Sequence, residues 1–280
     1  ATYSVSGIGS WAFYDCDGLT SVTIPGSVTS IGNSVFNSCS GLTSVTIPGS
    51  VTSIGDRAFY YCSGLTSIVI PGSVTSIGSE AFWSTNIQVV VNLSDLTFTK
   101  GSTSYGSVAY YATDYRVYNA PQGRIEGDFV LGKPNDVKTL VGYLGSATSA
   151  TLPADYDGEN YVIGSNAFRN RTSLTGVEIP GSVTSIGEAA FYGCNRLTSV
   201  EIPGSVTSIG NSAFSNCTGL ASVELPNSIT DIGSSAFRGC TGLASVELPN
   251  SITDIGSSAF RGCTGLASVE LPNSITDIGS

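Results

Sequence analysis

Histidine and methionine are both missing from these 280 residues, and only 11% of positions are charged. Without histidine there is no Ser-His-Asp or Cys-His catalytic arrangement, and the commonest metal ligand is gone. Lysine is nearly missing too. Lys100, Lys133 and Lys138 lie in one central segment, and no basic run exists. With 11 Lys and Arg against 21 Asp and Glu, the net charge is −10. That excludes a nucleic-acid partner, whose phosphates need clustered cations. No apolar run reaches the length of a membrane-spanning helix, so no membrane insertion is expected. The 34 glycines contain no Gly-x-Gly-x-x-Gly or Gly-Lys-Ser/Thr phosphate loop, and the seven cysteines contain no Cys-x-x-Cys pair. Asp155, Asp157 and Glu159 are near enough in sequence to pair as glycosidase carboxylates do, but a solvated loop is the simpler reading. The expectation is a protein that is not an enzyme, with no cofactor and no metal.

What the chain does have is repetition. Residues 243–265, LASVELPNSITDIGSSAFRGCTG, copy residues 220–242 letter for letter, and the unit begins a third time at Leu266. A looser form, LTSVTIPGSVTSIGNSVFNSCSG, fills residues 19–41. The Ile-Gly pair keeps a 23-residue period at Ile8, Ile31, Ile54 and Ile77, and again from Ile163 through Ile186, Ile209, Ile232 and Ile255 to Ile278. One such unit cannot bury its apolar face, whereas stacked units share a continuous core. The fold class is therefore a β-rich solenoid with a parallel sheet on one face.

Within a unit, Leu19, Val22, Ile24 and Pro25 read as a short strand. Val22 and Ile24 alternate inward, and Pro25 ends the ladder for want of an N–H. Gly26-Ser27 turns the chain, and Val28 and Ile31 return to the core. Ser10 to Cys16 fits one helical or 3₁₀ turn, with Ala12, Phe13 and Cys16 on one face. Cys16, Cys39 and Cys62 share one repeat position, as do Cys194, Cys217, Cys240 and Cys263. They are expected as two inward ladders of free thiols, since parallel side chains lack the Cβ approach of a disulfide.

The period breaks over residues 92–149, which separate a first array, residues 1–91, from a second, residues 150–280. This insert is either a junction between two arrays, preferred here with its core continuing through, or a bulge on one solenoid. It holds a candidate short helix at 107–114 and a candidate hairpin, 128–131 with 137–143, around Lys133-Pro134-Asn135-Asp136.

The string Cys-x-x-Leu-x-x-Val-x-Ile-Pro followed by Val-Thr-Ser-Ile-Gly-x-x-Ala-Phe-x-x-Cys resembles the BspA-like leucine-rich repeat family of bacterial surface and secreted proteins. The resemblance covers residues 7–91 and 150–280. Arg171 and Thr85 depart from it at cysteine positions. It implies a right-handed leucine-rich-repeat solenoid, placement outside the cell or on its surface, adhesion or binding of host or microbial macromolecules, and no catalytic residues. No signal peptide appears, so the chain is either cytosolic or a mature or trimmed secreted form, and its opening at Ala1 without Met favours trimming. It stops at Ser280 partway through a unit. Continuation of the natural chain or an end-to-end contact through an uncapped last repeat is expected there.

Two surfaces are candidates for binding. One outward strand position is Thr23, Thr46 and Val69 in the first array, but Glu178, Glu201, Glu224, Glu247 and Glu270 in the second. At a strand spacing of ~4.8 Å, neighbouring carboxylates repel by ~0.9 kcal/mol in water before screening. Such a file is a solubilising face, a docking surface for a basic partner, or a divalent-cation site. Calcium, however, wants six to eight oxygens, which one row does not supply. The other surface is aromatic: Tyr105, Tyr110, Tyr111, Tyr115 and Tyr118 crowd the insert, and Trp11, Tyr14, Tyr60, Trp83 and Tyr192 lie near the Phe turn. These rings either contact a partner or fill the core of the junction. Outward rows at Thr20, Thr43 and Thr66 also suggest an ice-binding grid, but the second array does not continue it. The function expected is an interaction module for a protein or glycan of a host or neighbouring microbe (matrix protein, mucin or glycan). The alternative is a structural spacer with no ligand of its own.

Overall fold

The fold is given by a computed structural model, which describes residues 5–112 and 116–279. The chain forms two compact units: residues 1–124 with 132–134, and residues 125–131 with 135–280. Each has its own cluster of buried apolar side chains, and both are built from coils of about 23 residues carrying parallel strands.

In the first unit, Gly7–Ile8, Ser30–Ile31, Ser53–Ile54 and Ser76–Ile77 form one parallel sheet. The partner strands are Ser21–Thr23 and Ser44–Thr46, then Ser67–Ile70, Val89–Asn92 and Val117–Asn119. In the second unit, five strands from Ser149–Thr151 to Ser245–Glu247 form one sheet, and a sheet of nine ends at Asp277–Ile278. Between the two strands of a coil the chain turns after proline; Val28 N–H donates to Pro25 O at 3.0 Å.

The segment after each Ile-Gly pair departs from the expected helical turn. In residues 55–65, Ala58, Tyr60, Cys62 and Leu65 donate within the coil to Gly55, Arg57, Phe59 and Cys62. Arg57, Phe59 and Tyr61 donate instead to Ser79, Ala81 and Trp83 of the next coil. Arg57 (φ 54°) and Tyr61 (φ 57°) sit in the left-handed region. A helix would have spent all these amides inside one coil. The zigzag commits every second one to the neighbour, which offsets a backbone cost on the order of 1–3 kcal/mol per left-handed residue. Ala58, Phe59 and Cys62 still face inward.

Side chains tie successive coils together. Phe13, Phe36, Phe59 and Phe82 stack with centroids 5.0–5.4 Å apart. In the second unit Tyr143, Phe168, Phe191, Phe214, Phe237 and Phe260 do the same at 4.9–5.4 Å. Thr52 Oγ1 donates to Thr29 O and Thr75 Oγ1 to Thr52 O, while Ser50 and Ser73 Oγ donate to Val28 O and Val51 O. Thr43 Oγ1 likewise donates to Thr20 O, so hydroxyls of the supposed ice-binding grid are rungs of the coil. The Ile-Gly glycine allows this close stacking: a Cβ at Gly55 would lie 2.7 Å from the backbone carbon of Gly32.

Six of the seven cysteines are buried free thiols, and Cys16, in the first coil, is exposed. Each buried Sγ donates to the Phe carbonyl 26 residues earlier, as Cys217 does to Phe191 O at 3.1 Å. Burial pushes the thiols of Cys62, Cys194 and Cys240 up to about 12. Arg171, at a cysteine position, keeps the rung: its Nη2 donates to Tyr143 O. Thr85 turns back instead, its Oγ1 donating to Phe82 O at 2.8 Å. A thiol-reactive disulfide reagent at pH 8 is therefore expected to titrate one fast cysteine in the native chain. The other six should react only as the coils open, because reaction needs an accessible thiolate.

The insert is organised by this same stacking. The expected helix is not found among described residues 107–112; a three-residue 3₁₀ turn, Tyr105–Ser107, is followed by tight turns. The reason is local: Gly106 adopts φ 66°, and its carbonyl accepts from Phe82 N–H of the preceding coil. Phe129–Gly132 and Thr139–Tyr143 lie side by side, and Leu144 N–H donates to Asp128 O at 2.7 Å. Residues 155–159 form a small turn in which Gly158 N–H donates to Asp155 Oδ1 and Tyr156 pairs with Glu159.

Candidate interaction surfaces

The acidic file is set by strand register. Glu201 lies opposite Glu224, and Glu224 opposite Glu247, in parallel ladders. Glu178 ends the adjoining strand, which pairs Val177 with Val200, and it lies opposite Thr151. Because Val177, Val200, Val223 and Val246 turn inward, the pleat sends all four carboxylates to solvent. Thr151 Oγ1 donates to Glu178 Oε2 at 3.0 Å. Ser199, Ser222 and Ser245 run parallel to the carboxylates on the same exposed face. The strands themselves contain no Lys or Arg, so the face is a band of aligned acceptors and negative charge.

Glu270 is not paired in the ladder. It is exposed, but residues 266–272 form no strand, and Val269 and Leu271 beside it are exposed too. Four members of the file are thus held on paired strands, and Glu270 lines the same surface groove as Glu247 without strand pairing.

A second acidic row follows from the same repeat period. The later repeats change Ser-Ile-Gly to Asp-Ile-Gly, and Asp231, Asp254 and Asp277 fall in register on the opposite sheet. Thr230 Oγ1 donates to Asp231 Oδ2, and Thr253 Oγ1 to Asp254 Oδ2. Among the described residues no group of three or more His, Cys, Asp or Glu is arranged to hold a metal ion.

The tyrosine cluster separates. Tyr105 and Tyr111 are exposed, and Tyr110 is half-buried with its ring 5.0 Å from that of Trp83. Tyr118 is only 4% exposed, an inward residue of Val117–Asn119, which pairs with Val89–Asn92. Tyr118 is therefore a packing residue and leaves the candidate surface. Tyr115 lies outside the described residues. In the second unit Tyr192 lies under the Arg169 guanidinium, 4.3 Å from its ring centroid, and accepts from Asn216 Nδ2. Sequence reasoning also missed the asparagine pair behind Tyr118: Asn92 Nδ2 donates to Asn119 Oδ1 at 2.9 Å, closing that strand pair with side chains.

Among the described residues, no helix is long and apolar enough to cross a membrane. No curated protein matches the sequence. Among solved structures, the chain is similar to a leucine-rich cell surface protein from Faecalibacterium prausnitzii A2-165 at 32% identity and TM-score 0.53, over 95% of this chain and 63% of that one. The chain thus spans less than two thirds of that protein. A leucine-rich repeat protein of T. pallidum is similar at 34% identity and TM-score 0.50, over 56% of this chain and 82% of its own. The profile of the BspA type leucine rich repeat region matches in six copies, over residues 1–111 and 161–280. The repeat motif, the stacked coils and this match together place the chain in the BspA-type leucine-rich repeat family.

Proposed function

We propose that this chain is an extracellular, non-catalytic adhesion module that binds a macromolecule of a host or neighbouring microbe. The in-register carboxylates Glu178, Glu201, Glu224 and Glu247 form the docking surface for a basic protein partner. The observation that carries this reading is the alignment itself. Four like charges at strand spacing repel one another, a cost that a cationic partner would convert into attraction. Kinship with bacterial leucine-rich repeat proteins, one of them a cell surface protein, supports an interaction role.

The test is binding to an immobilised panel of extracellular-matrix proteins, mucins and glycans, beside the variant E201Q/E224Q/E247Q. Saturable binding is expected that weakens steeply with salt, as exposed charge pairs do, and by tenfold or more in the variant. The same variant should melt slightly higher, because the repulsion is relieved. Binding that ignores both salt and the variant would exclude the acidic file. No binding anywhere on the panel would favour the spacer reading.

A further inference from the structure

The first unit carries a second surface, on its turn side. Phe59 and Phe82 point inward and stack at 5.0 Å, which leaves Tyr61 exposed and Tyr60 and Trp83 half-buried at the surface. Tyr61 N–H donates to Trp83 O at 3.0 Å, so these two turns lie side by side. Phe82 N–H donates in turn to Gly106 O, which sets Tyr110 and Tyr111 in the next layer. Trp83 and Tyr110 lie 5.0 Å apart, tilted by 49°. Tyr60 with Tyr61 (4.6 Å) and Tyr110 with Tyr111 (4.9 Å) meet edge to face. An edge-to-face pair leaves ring faces open, and Tyr61 and Tyr111 remain 52% and 43% exposed.

The flanks of this strip are polar. Arg57 Nε donates to Glu80 Oε2 at 2.7 Å, across the first two layers, and the Arg57 guanidinium lies 5.6 Å from the Tyr60 ring centroid. The pair cancels its own charge. The aliphatic side chains Leu65 and Ile87 that follow these turns are buried, and the exposed Val69 of the same coil lies on the sheet strand Ser67–Ile70. The exposed apolar area on this turn side therefore consists of Tyr and Trp rings in successive layers of the stack.

We propose that this strip binds a neutral glycan chain, with sugar rings laid along the successive aromatic layers. Pyranose rings have C–H faces that rest on aromatic faces and a rim of hydroxyls that needs donors and acceptors. Tyr61, Trp83 and Tyr111 supply the faces; the Arg57–Glu80 pair and the tyrosine hydroxyls supply charge-assisted and neutral partners for the rim. An apolar protein partner would be better met by aliphatic side chains, which are turned inward here. Sulfated or sialylated chains are disfavoured by the net charge of −10. The proposal shares with the preceding reading only that the chain binds macromolecules. It uses another unit, other residues and an uncharged ligand.

The chain has two tryptophans, Trp11 and Trp83, so in the W11F variant Trp83 is the sole indole reporter. Its emission would be titrated with neutral hexasaccharides of β-1,4-linked glucose, xylose and mannose and of α-1,4-linked glucose, with heparin and tryptophan-free gelatin as the charged and protein arms. A saturable change with at least one neutral hexasaccharide is expected, insensitive to salt and unaltered by E201Q/E224Q/E247Q. Adding Y111A, at an exposed position, should weaken it tenfold or more while circular dichroism confirms an unchanged fold. The proposal is overturned if no neutral hexasaccharide gives a saturable change, if Y111A is without effect, or if heparin or gelatin binds more tightly. Because the Glu variant reports on the other surface, failure here is distinguishable from failure of the acidic docking face.

Discussion

Replacing Phe214 by alanine is expected to destabilise the second unit by about 3–5 kcal/mol, the range for removing a buried aromatic side chain. Its ring is fully buried between Phe191 at 5.1 Å and Phe237 at 5.4 Å, within 4° of parallel to both. The void cannot be closed by local collapse. The coils above and below are held at fixed spacing by backbone ladders and by the Cys217 and Cys240 rungs, which donate to Phe191 O and Phe214 O. In a stacked array each coil touches only its neighbours, so the damage falls on two interfaces. Urea unfolding of F214A beside F260A checks this. Phe260 is only partly buried and stacks on one ring, so its loss should cost distinctly less. Equal midpoints for the two variants would mean that the stack is not the main tie between coils.

Replacing Gly210 by valine should cost at least about 3 kcal/mol, the upper end for overpacking. A Cβ there would lie 2.7 Å from Glu188 N and 2.8 Å from the carbonyl carbon of Gly187. Those are backbone atoms of the preceding coil, and no rotamer change can move them. Gly204 provides the control, since a Cβ there would meet nothing within 4 Å. Gly204→Ala is expected to be neutral or stabilising by up to about 1 kcal/mol, through loss of unfolded-state freedom. Thermal melts of the two single variants would separate a steric role for the Ile-Gly glycine from a conformational one. A mild Gly210→Val would show that the coils can part without loss.

The architecture was legible because it repeats. A 23-residue period with apolar residues at fixed positions admits few solutions other than stacking, and the inward Val, Ile, Phe and Cys residues follow from alternation alone. The acidic file was legible for the same reason, since one outward position per unit must align when units align. Glu270 escaped that logic because alignment needs a paired strand, and residues 266–272 form none. The turn segment differs from its helical expectation for a different reason. Ala-Phe-x-x-Cys has helical spacing, but its alternate amides find carbonyls one coil away, and no local pattern reveals such a partner. The tyrosines of the insert were legible as a group and not as individuals. Whether a ring faces water or core depends on which strand it joins, as Tyr118 shows by pairing in register with Val91.

The amino-acid order by itself determined the solenoid, its inward rows and the charge of its sheet face, because each is a consequence of periodicity repeated over many units. Tertiary structure alone decided how the coils are tied: cysteine thiols on phenylalanine carbonyls, hydroxyl rungs, and glycines pressed onto the backbone below. It also decided that Tyr60, Tyr61, Trp83, Tyr110 and Tyr111 share one surface, although the period fails between Trp83 and Tyr110. Contacts that cross from one coil to the next join residues more than twenty positions apart, and their geometry is set by stacking distance, which composition and spacing do not encode.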